Sequence, residues 1–253
     1  PGLIAACVIG DGEAETGPLA TSWHGQKWLN PARDGAVLPI LHLNGWKIAN
    51  PTLLSRMPEA QLIMLLRGYG YDPVIVSGHD PALMAAALDT VLDRIAALQA
   101  DARATGGVPT AWPMIVLRTP KGWTGPAMVD GLPVEGTWRA HQVPLAHVRD
   151  NPAHLALLEQ WLRSYRPAEL FDDIGAPVAA ICEACPDGNR RMSLQPASLG
   201  LPARPLVFPP FRAHALKLPA PGAVSGEATR TMGAYIAAIM QDNPDRFRVF
   251  GPD

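Results

Sequence analysis

The chain has few cysteines, no excess of either charge and no long apolar run. Its three cysteines in 253 residues argue against a secreted fold built on disulfides and indicate a reducing cytoplasm. The 21 lysines and arginines nearly balance 23 acidic residues, and a net charge of -2 does not favour binding to nucleic acid through bulk basicity. No apolar run reaches membrane-spanning length, and no signal-peptide pattern is readable. We therefore expect no nucleic-acid partner and no membrane association.

An initial methionine is also missing. The sequence begins Pro1-Gly2-Leu3 directly before one apolar strand pattern, and it stops at Gly251-Pro252-Asp253 directly after another. Both ends therefore predict an internal fragment of a longer subunit. Hydrophobic residues make up 48% and charged residues 17%, which is typical of a chain with a packed core.

Strand and helix patterns alternate along the first two thirds of the chain. The predicted strands cover residues 3–9, 36–43, 73–77 and 114–118, and the predicted helices cover 16–29, 57–68, 152–165 and a long stretch that begins with Asp80 as cap and Pro81 as first residue. The first strand is an unbroken apolar run, which favours burial on both faces, whereas Pro39 argues against a fully hydrogen-bonded second strand. This alternation predicts an α/β fold with a parallel sheet.

The pattern changes after residue 165. Residues 167–221 are rich in proline, glycine and alanine with little periodicity, which indicates an ordered linker. A helical pattern at 227–240 and a strand pattern at 247–250 then predict the start of a second α/β domain. We place the boundaries of the three parts at 1–165, 166–224 and 225–253.

Polar residues follow three of the predicted strands. Gly10-Asp11-Gly12-Glu13 ends the first, Asn44-Gly45-Trp46-Lys47 the second, and Pro120-Lys121-Gly122 the strand that begins near Met114. Because ligands of open parallel sheets bind at the carboxyl ends of the strands, these groups are expected to converge. Oxygen ligands suit Mg²⁺ or Ca²⁺, glycines let a backbone approach a phosphate, and Lys121 adds positive charge. The set predicts a metal-bridged diphosphate, although Gly-Asp-Gly alone is also a common turn.

The spacing of these motifs resembles that of thiamine-diphosphate enzymes. Asp11 and Asn44 lie 33 positions apart, about one βαβ unit. Five segments resemble phosphoketolases more closely than transketolases, in family order along nearly the whole chain: GDGEAETGPLATSWH at 10–24, LHLNGWKIANPT at 41–52, RTPKGWTGP at 118–126, HQVPL at 141–145 and FRVFGPD at 247–253. The resemblance implies a partial diphosphate-binding domain, a linker and the start of a pyrimidine-binding domain.

The same resemblance implies roles for individual residues. Side-chain oxygens of Asp11 and Asn44 and the backbone carbonyl of Trp46 would ligate Mg²⁺. Gly10, Gly12 and Glu13 would lie against the diphosphate of the cofactor and its surroundings. Lys121 and His141 would line the cofactor and substrate pocket as catalytic residues, holding phosphate charge, stabilising oxyanions and moving protons.

The implied reaction is that of a cytoplasmic, homodimeric phosphoketolase. Xylulose 5-phosphate or fructose 6-phosphate is cleaved between C2 and C3 through an adduct on thiamine diphosphate, and inorganic phosphate takes the two-carbon unit as acetyl phosphate. The resemblance also implies a glutamate from the partner subunit and further pocket histidines outside this sequence, so we expect the chain alone to be inactive. Two alternatives stay open: transketolase-type transfer of the two-carbon unit, and a truncated module that acts only by binding.

Several other residues have simpler interpretations. Cys182 and Cys185 form a C-x-x-C pair without two further ligands at suitable spacing, so redox or zinc chemistry is not favoured. His24 and His42 lie inside the matched motifs, where structural roles are favoured over catalytic ones. Glu15 is expected to favour a helix N-terminus, and Lys47 is expected either to reach the diphosphate or to be a solvated lysine.

Overall fold

A computed structural model describes residues 3–78, 80–141, 143–188, 191, 205–244 and 247–249. The chain divides into two compact units, residues 1–167 and 168–253. The strands are β1 (Ile4–Gly10), β2 (Ala36–Leu43), β3 (Trp46–Lys47), β4 (Asn50–Pro51), β5 (Tyr71–Ser77), β6 (Trp112–Arg118), β7 (Met128–Val129) and β8 (Leu132–Pro133). The helices are α1 (Asp11–Ala14), α2 (Gly17–Ser22), α3 (Leu53–Arg56), α4 (Glu59–Gly68), α5 (Pro81–Thr105), α6 (Pro152–Ser164), α7 (Pro167–Leu170), α8 (Ala179–Ala184) and α9 (Ala228–Asp242).

Four strands of the first unit form one parallel sheet in the order β1-β2-β6-β5. The register sets Gly10 opposite His42, and Arg118 opposite both Leu43 and Ser77. The carboxyl ends of all four strands therefore meet at one edge of the sheet. The predicted α/β fold with a parallel sheet is confirmed.

The core lies between this sheet and the helices packed on it. The central strand β6 is fully buried at Met114, Ile115 and Val116, as its unbroken apolar sequence predicts. Leu62 and Leu66 of α4, and Val91 and Ile95 of α5, complete this core. Complete burial of an aliphatic side chain of this size stabilises the fold by about 1.5–3 kcal/mol.

The second strand accommodates its proline. Pro39 lies opposite Cys7 in the ladder with β1, whereas the ladder with β6 begins only at Ile40. The proline, which has no N–H to donate, therefore lies outside the ladder between the two central strands.

The first strand forms where it is predicted, but the expectation that it is buried on both faces is wrong. β1 is an edge strand paired only with β2, and its middle residues are exposed, with Val8 70% exposed. Among the described residues no further strand pairs with β1 on its other side. An unbroken apolar run therefore indicates a strand in a parallel sheet without showing what covers it.

The long helix begins and ends at the residues that the sequence indicates. Asp80 accepts a hydrogen bond from the Ala82 N–H at 2.9 Å, Pro81 is the first helical residue, and Gly106 ends the helix at a φ of 71°. This left-handed backbone conformation is less strained for glycine than for other residues, because glycine has no Cβ.

The prediction of a single helix over residues 16–29 is wrong. The chain forms α2, then turns, and continues as a 3₁₀ helix over Gly25–Trp28. Trp23, which is 5% exposed, ends α2 and donates from its indole N–H to the Ala14 carbonyl at 2.9 Å. Burial of this side chain against Tyr69 and Tyr71 outweighs the local helical preference.

The second unit contains helices but no strand within its described residues, apart from one isolated bridge between Phe171 and Pro177. Within this unit the Asn243 carboxamide accepts from the Val207 N–H at 2.9 Å and donates to the Val207 carbonyl at 2.8 Å. The predicted strand at 247–250 is not formed at 247–249, and Phe250 lies outside the described residues. The boundaries at 165/166 and 224/225, and the assignment of a second α/β domain, stay predictions.

Asp72 at the start of β5 generates a testable prediction about stability. Its carboxylate binds Arg94 of α5 at 2.5 Å and Arg67 of α4 at 3.4 Å. These bonds, that from Arg94 above all, lower the pKa of Asp72 below its ordinary value. The carboxylate therefore stabilises the folded state above the unfolded pKa of about 4, and this contribution is lost as the pH falls through the lower folded pKa.

We expect Asp72→Asn to lower the free energy of unfolding by about 0.5–1 kcal/mol at pH 7, a typical value for a partly exposed ion pair. The difference from wild type shrinks as the pH is lowered below about 4. Urea unfolding across this range measures it, with Asp89→Asn on the exposed face of α5 as the matched control. An equal loss of stability at every pH contradicts the ion-pair explanation.

Candidate functional site

Asp11 is the most deeply buried acid at the carboxyl edge of the sheet. It is the first residue of α1, directly after β1, and is 1% exposed. Its Oδ2 accepts hydrogen bonds from the Gly45 N–H at 2.7 Å and from the Thr52 hydroxyl at 2.9 Å. Its Oδ1 is buried and has no hydrogen-bond partner among the described residues. Burial of an ionised oxygen without a partner is costly, so this atom is suited to bind a cation.

The loop after β2, which is bonded to Asp11 through the Gly45 N–H, carries two more oxygens. Asn44 is half-buried, and its Oδ1 accepts from the Trp46 N–H at 3.1 Å. The Trp46 carbonyl accepts from the Lys121 ammonium at 3.2 Å, and its indole N–H donates to the Gly136 carbonyl at 3.0 Å. The structure therefore brings Asp11, Asn44 and Trp46 into one connected region, through Gly45, as the strand-end argument predicts.

Lys121, just beyond the end of β6, is the buried cation of this region. It is 9% exposed, and its Nζ lies 3.1 Å from His141 Nδ1. Burial lowers the pKa of Lys121, and the carboxylates of Asp11 and Glu13 partly oppose this effect. A protonated Lys121 can only donate, and in that state His141 Nδ1 is the acceptor of this contact.

The glycines permit close packing at the end of β1. A Cβ on Gly12 would lie 2.7 Å from Lys47 Cβ, and a Cβ on Gly10 would collide with Glu13 Oε2. At position 12 only glycine therefore lets α1 pack this closely against the loop after β2, whereas the exposed Glu13 carboxylate could turn away from a Cβ on residue 10. Glu13 itself is exposed, and no hydrogen bond from its side chain is seen in the described part of the chain. Contact of these residues with a diphosphate stays a prediction.

Sequence reasoning missed three contacts that hold the loop. Glu15 is nearly buried, with its Oε1 2.5 Å from Lys47 Nζ and its Oε2 accepting from the Leu54 N–H at 3.0 Å. Glu15 therefore serves the N-terminus of α3, not that of its own helix, and Lys47 is an ion-pair partner instead of a solvated lysine. Thr52 was also missed: its position before α3 is a readable capping signal, but its bond to Asp11 spans 41 residues.

The open crevice at this edge has a volume of about 510 Å³. Its walls include Asn44, Gly45, Thr119 and Pro120, at the carboxyl ends of β2 and β6, and Asn44 is the one proposed metal ligand among them. This is where open parallel sheets bind ligands. A larger space of about 730 Å³ lies at the opposite edge, beside Asp72 and its two arginines, where those charged groups satisfy one another. Volume alone therefore does not locate the site.

The remaining singled-out residues make local contacts or belong to the second unit. His42 Nε2 lies 2.6 Å from Thr119 Oγ1, and the His24 ring meets the edge of Tyr69 at 5.3 Å. Cys182 and Cys185 lie on and just after α8 in the second unit and are exposed.

In the described part of the chain no helix is long and apolar enough to cross a membrane.

The oxygens of Asp11, Asn44 and Trp46 are of the type that hard divalent cations prefer. In the part of the chain that the structure describes, no cluster of three His, Cys, Asp or Glu side chains could hold a metal. The Asp11 set differs from such a cluster because its other oxygens come from a carboxamide and a backbone carbonyl. Mg²⁺ commonly takes few protein oxygens and completes its shell with water and phosphate, and the unpartnered Asp11 Oδ1 meets that requirement.

Comparisons with known proteins point to a single family. The family model described as the XFP N-terminal domain matches residues 1–201. The chain is 62% identical over 262 residues to a probable phosphoketolase of Streptomyces coelicolor, 59% over 259 residues to one of Synechococcus elongatus and 58% over 264 residues to one of Mesorhizobium japonicum. Each alignment covers 100% of this chain but only 32–33% of the relative, so the chain spans about a third of their length.

The family match covers well over half of the 253 residues and includes each residue of the candidate site. The chain therefore belongs to the phosphoketolase family.

Proposed function

We propose that the longer protein containing this chain is a thiamine-diphosphate-dependent phosphoketolase and that these residues hold the cofactor's diphosphate through Mg²⁺. The observation that carries the proposal is the buried Oδ1 of Asp11, which has no partner among the described residues and lies at the ligand-binding edge of a parallel sheet. The proposed substrates are xylulose 5-phosphate or fructose 6-phosphate with inorganic phosphate. The proposed products are acetyl phosphate and an aldose phosphate.

Three groups would hold the metal: Asp11 Oδ1, the Asn44 carboxamide oxygen and the Trp46 carbonyl. The carbonyl now accepts a hydrogen bond from Lys121. A divalent cation on the same oxygen would repel the ammonium group, so Lys121 is expected to turn towards phosphate oxygens when metal is bound. Gly10, Gly12 and Glu13 would line the diphosphate, since the glycines leave the backbone there open to close approach.

Thiamine diphosphate, when bound, supplies the carbanion and the electron sink for cleavage of the C2–C3 bond. Lys121 contributes positive charge from a buried position, where it attracts phosphate or developing oxyanions more strongly than it would in water. His141 Nδ1 lies 3.1 Å from Lys121 Nζ, and the ring is assigned the role of moving a proton to or from a substrate oxygen. These are the roles proposed for the two catalytic residues.

We also propose that the longer protein is a cytoplasmic homodimer. All three cysteines are free, which agrees with a reducing cytoplasm. The homodimer and the glutamate from the partner subunit rest on the family resemblance alone.

We expect Asp11→Asn and Asn44→Ala, made in the longer protein, each to weaken Mg²⁺-dependent binding of thiamine diphosphate at least about tenfold, because a metal ligand is weakened or lost. Titration calorimetry measures the affinity, and Asp89→Asn is the control for loss of one exposed carboxylate. If both site variants bind the cofactor as wild type does, the site assignment is wrong.

We expect the longer protein to form acetyl phosphate from xylulose 5-phosphate or fructose 6-phosphate and inorganic phosphate, and residues 1–253 alone to form none. The chain spans about a third of its relatives, which is the reason for the second expectation. Trapping acetyl phosphate as its hydroxamate measures both. A new ketose phosphate without acetyl phosphate would indicate transketolase-type transfer, cofactor binding without turnover would indicate a binding module, and acetyl phosphate from residues 1–253 would disprove their inactivity.

A further inference from the structure

Thr52 is a completely buried residue whose hydroxyl contacts the Asp11 carboxylate. It is 0% exposed, and its Oγ1 donates to Asp11 Oδ2 at 2.9 Å. The same Oγ1 accepts from the Ser55 N–H at 3.4 Å, as the N-cap of α3. A hydroxyl has one proton. Since the Ser55 N–H occupies an acceptor position, the Thr52 proton is left for Asp11.

The hydrogen bonds of Asp11 are unequally divided between its two oxygens. Oδ2 receives both donors, the Gly45 N–H at 2.7 Å and the Thr52 hydroxyl at 2.9 Å, and Oδ1 receives none among the described residues. Rotation of the carboxylate away from this orientation would break two bonds to a charged acceptor in a buried place, where such bonds are strongest. The two donors therefore hold the carboxylate with Oδ1 unbonded.

The hairpin of β3 and β4 makes this arrangement possible. The Thr52 N–H donates to the Gly45 carbonyl at 3.1 Å across the base of the hairpin, so the two donors to Asp11 are tied to each other. Asn44 and Trp46 flank Gly45 in the same loop. One short segment therefore supplies two of the proposed metal ligands and both groups that orient the third.

We propose that Thr52 is a positioning residue for the metal site: its hydroxyl, with the Gly45 N–H, fixes the Asp11 carboxylate so that Oδ1 faces the cation. This inference rests on the proposed metal-binding role of Asp11. Groups that orient metal ligands typically change metal affinity by about 10–100-fold when they are removed.

The test is Mn²⁺ binding to the longer protein at a fixed concentration of thiamine diphosphate, followed by the electron paramagnetic resonance signal of free Mn²⁺. Thr52→Val keeps the shape of the side chain and removes the hydroxyl, so we expect the Mn²⁺ affinity to fall about 10–100-fold. Thr52→Ser keeps the hydroxyl and is expected to stay within about threefold of wild type.

A matched control separates this effect from local loosening of the hairpin. Ser55→Ala removes the hydroxyl whose single proton lies between the Thr52 carbonyl, 2.9 Å from Oγ, and the Gly45 carbonyl, 3.4 Å from it, but leaves the Thr52 hydroxyl on Asp11. We expect Ser55→Ala to lower the melting temperature of the metal-free protein without changing its Mn²⁺ affinity. A purely structural role for Thr52 predicts the same behaviour for Thr52→Val, and that result would overturn the proposal.

The remaining outcomes also decide whether Thr52 orients Asp11. If Thr52→Val does not fold, Thr52→Cys replaces it in the test, because its S–H group is only a weak donor. An Mn²⁺ affinity of Thr52→Cys equal to that of wild type then rejects the proposal. A loss in Thr52→Ser as large as in Thr52→Val rejects it too. If Asp11→Asn abolishes Mn²⁺ binding while Thr52→Val does not weaken it, the inference fails and the metal site stands. If Asp11→Asn also binds Mn²⁺ normally, the proposed site itself fails.

Discussion

The structure of the candidate site depends on one buried carboxylate whose two oxygens have different surroundings. Asp11 is held through Oδ2 by the loop after β2, while Oδ1 remains without a partner among the described residues. A buried carboxylate oxygen without a hydrogen-bond partner opposes folding unless a cation compensates it. The sheet register keeps the carboxylate at the edge where β1 and β2 end, because Gly10 is paired opposite His42. Without that register, neither Asn44 nor Trp46 would lie near the acid.

A second set of contacts joins the end of β6 to this edge. Lys121 donates to the Trp46 carbonyl, the Trp46 indole donates to the Gly136 carbonyl, and the Gly136 N–H donates to the Lys121 carbonyl at 2.8 Å. These three bonds link segments that are far apart in sequence, and they keep the only described buried lysine beside the buried acid. The site is therefore built from the ends of β1, β2 and β6. Because the Asp11 carboxylate acts on the Lys121 ammonium group, replacing either residue changes the charge that surrounds the other.

The sequence predicts the strands and the convergence of their ends better than it predicts the contacts around them. Parallel pairing alone implies that Asp11, Asn44 and Lys121 meet, because their strands must end at one edge. It does not reveal that Trp23 folds back on Ala14 and shortens the helix after α1, since this depends on tyrosines far along the chain. Nor does it reveal the exposure of β1, because an apolar pattern carries no information on which neighbours are present. The Glu15–Lys47 and Thr52–Asp11 contacts were missed for the same reason: each joins two segments more than thirty residues apart.

The central claim is that Asp11 Oδ1, together with the Asn44 and Trp46 oxygens, ligates a divalent cation. Anomalous scattering from crystals of the longer protein grown with Mn²⁺ and thiamine diphosphate tests it most directly. The account predicts one anomalous peak bonded to Asp11 Oδ1, with Oδ2 still bound by Gly45 and Thr52. A peak bonded to Oδ2, or a cofactor-bound structure in which Asp11 touches no metal, would contradict it.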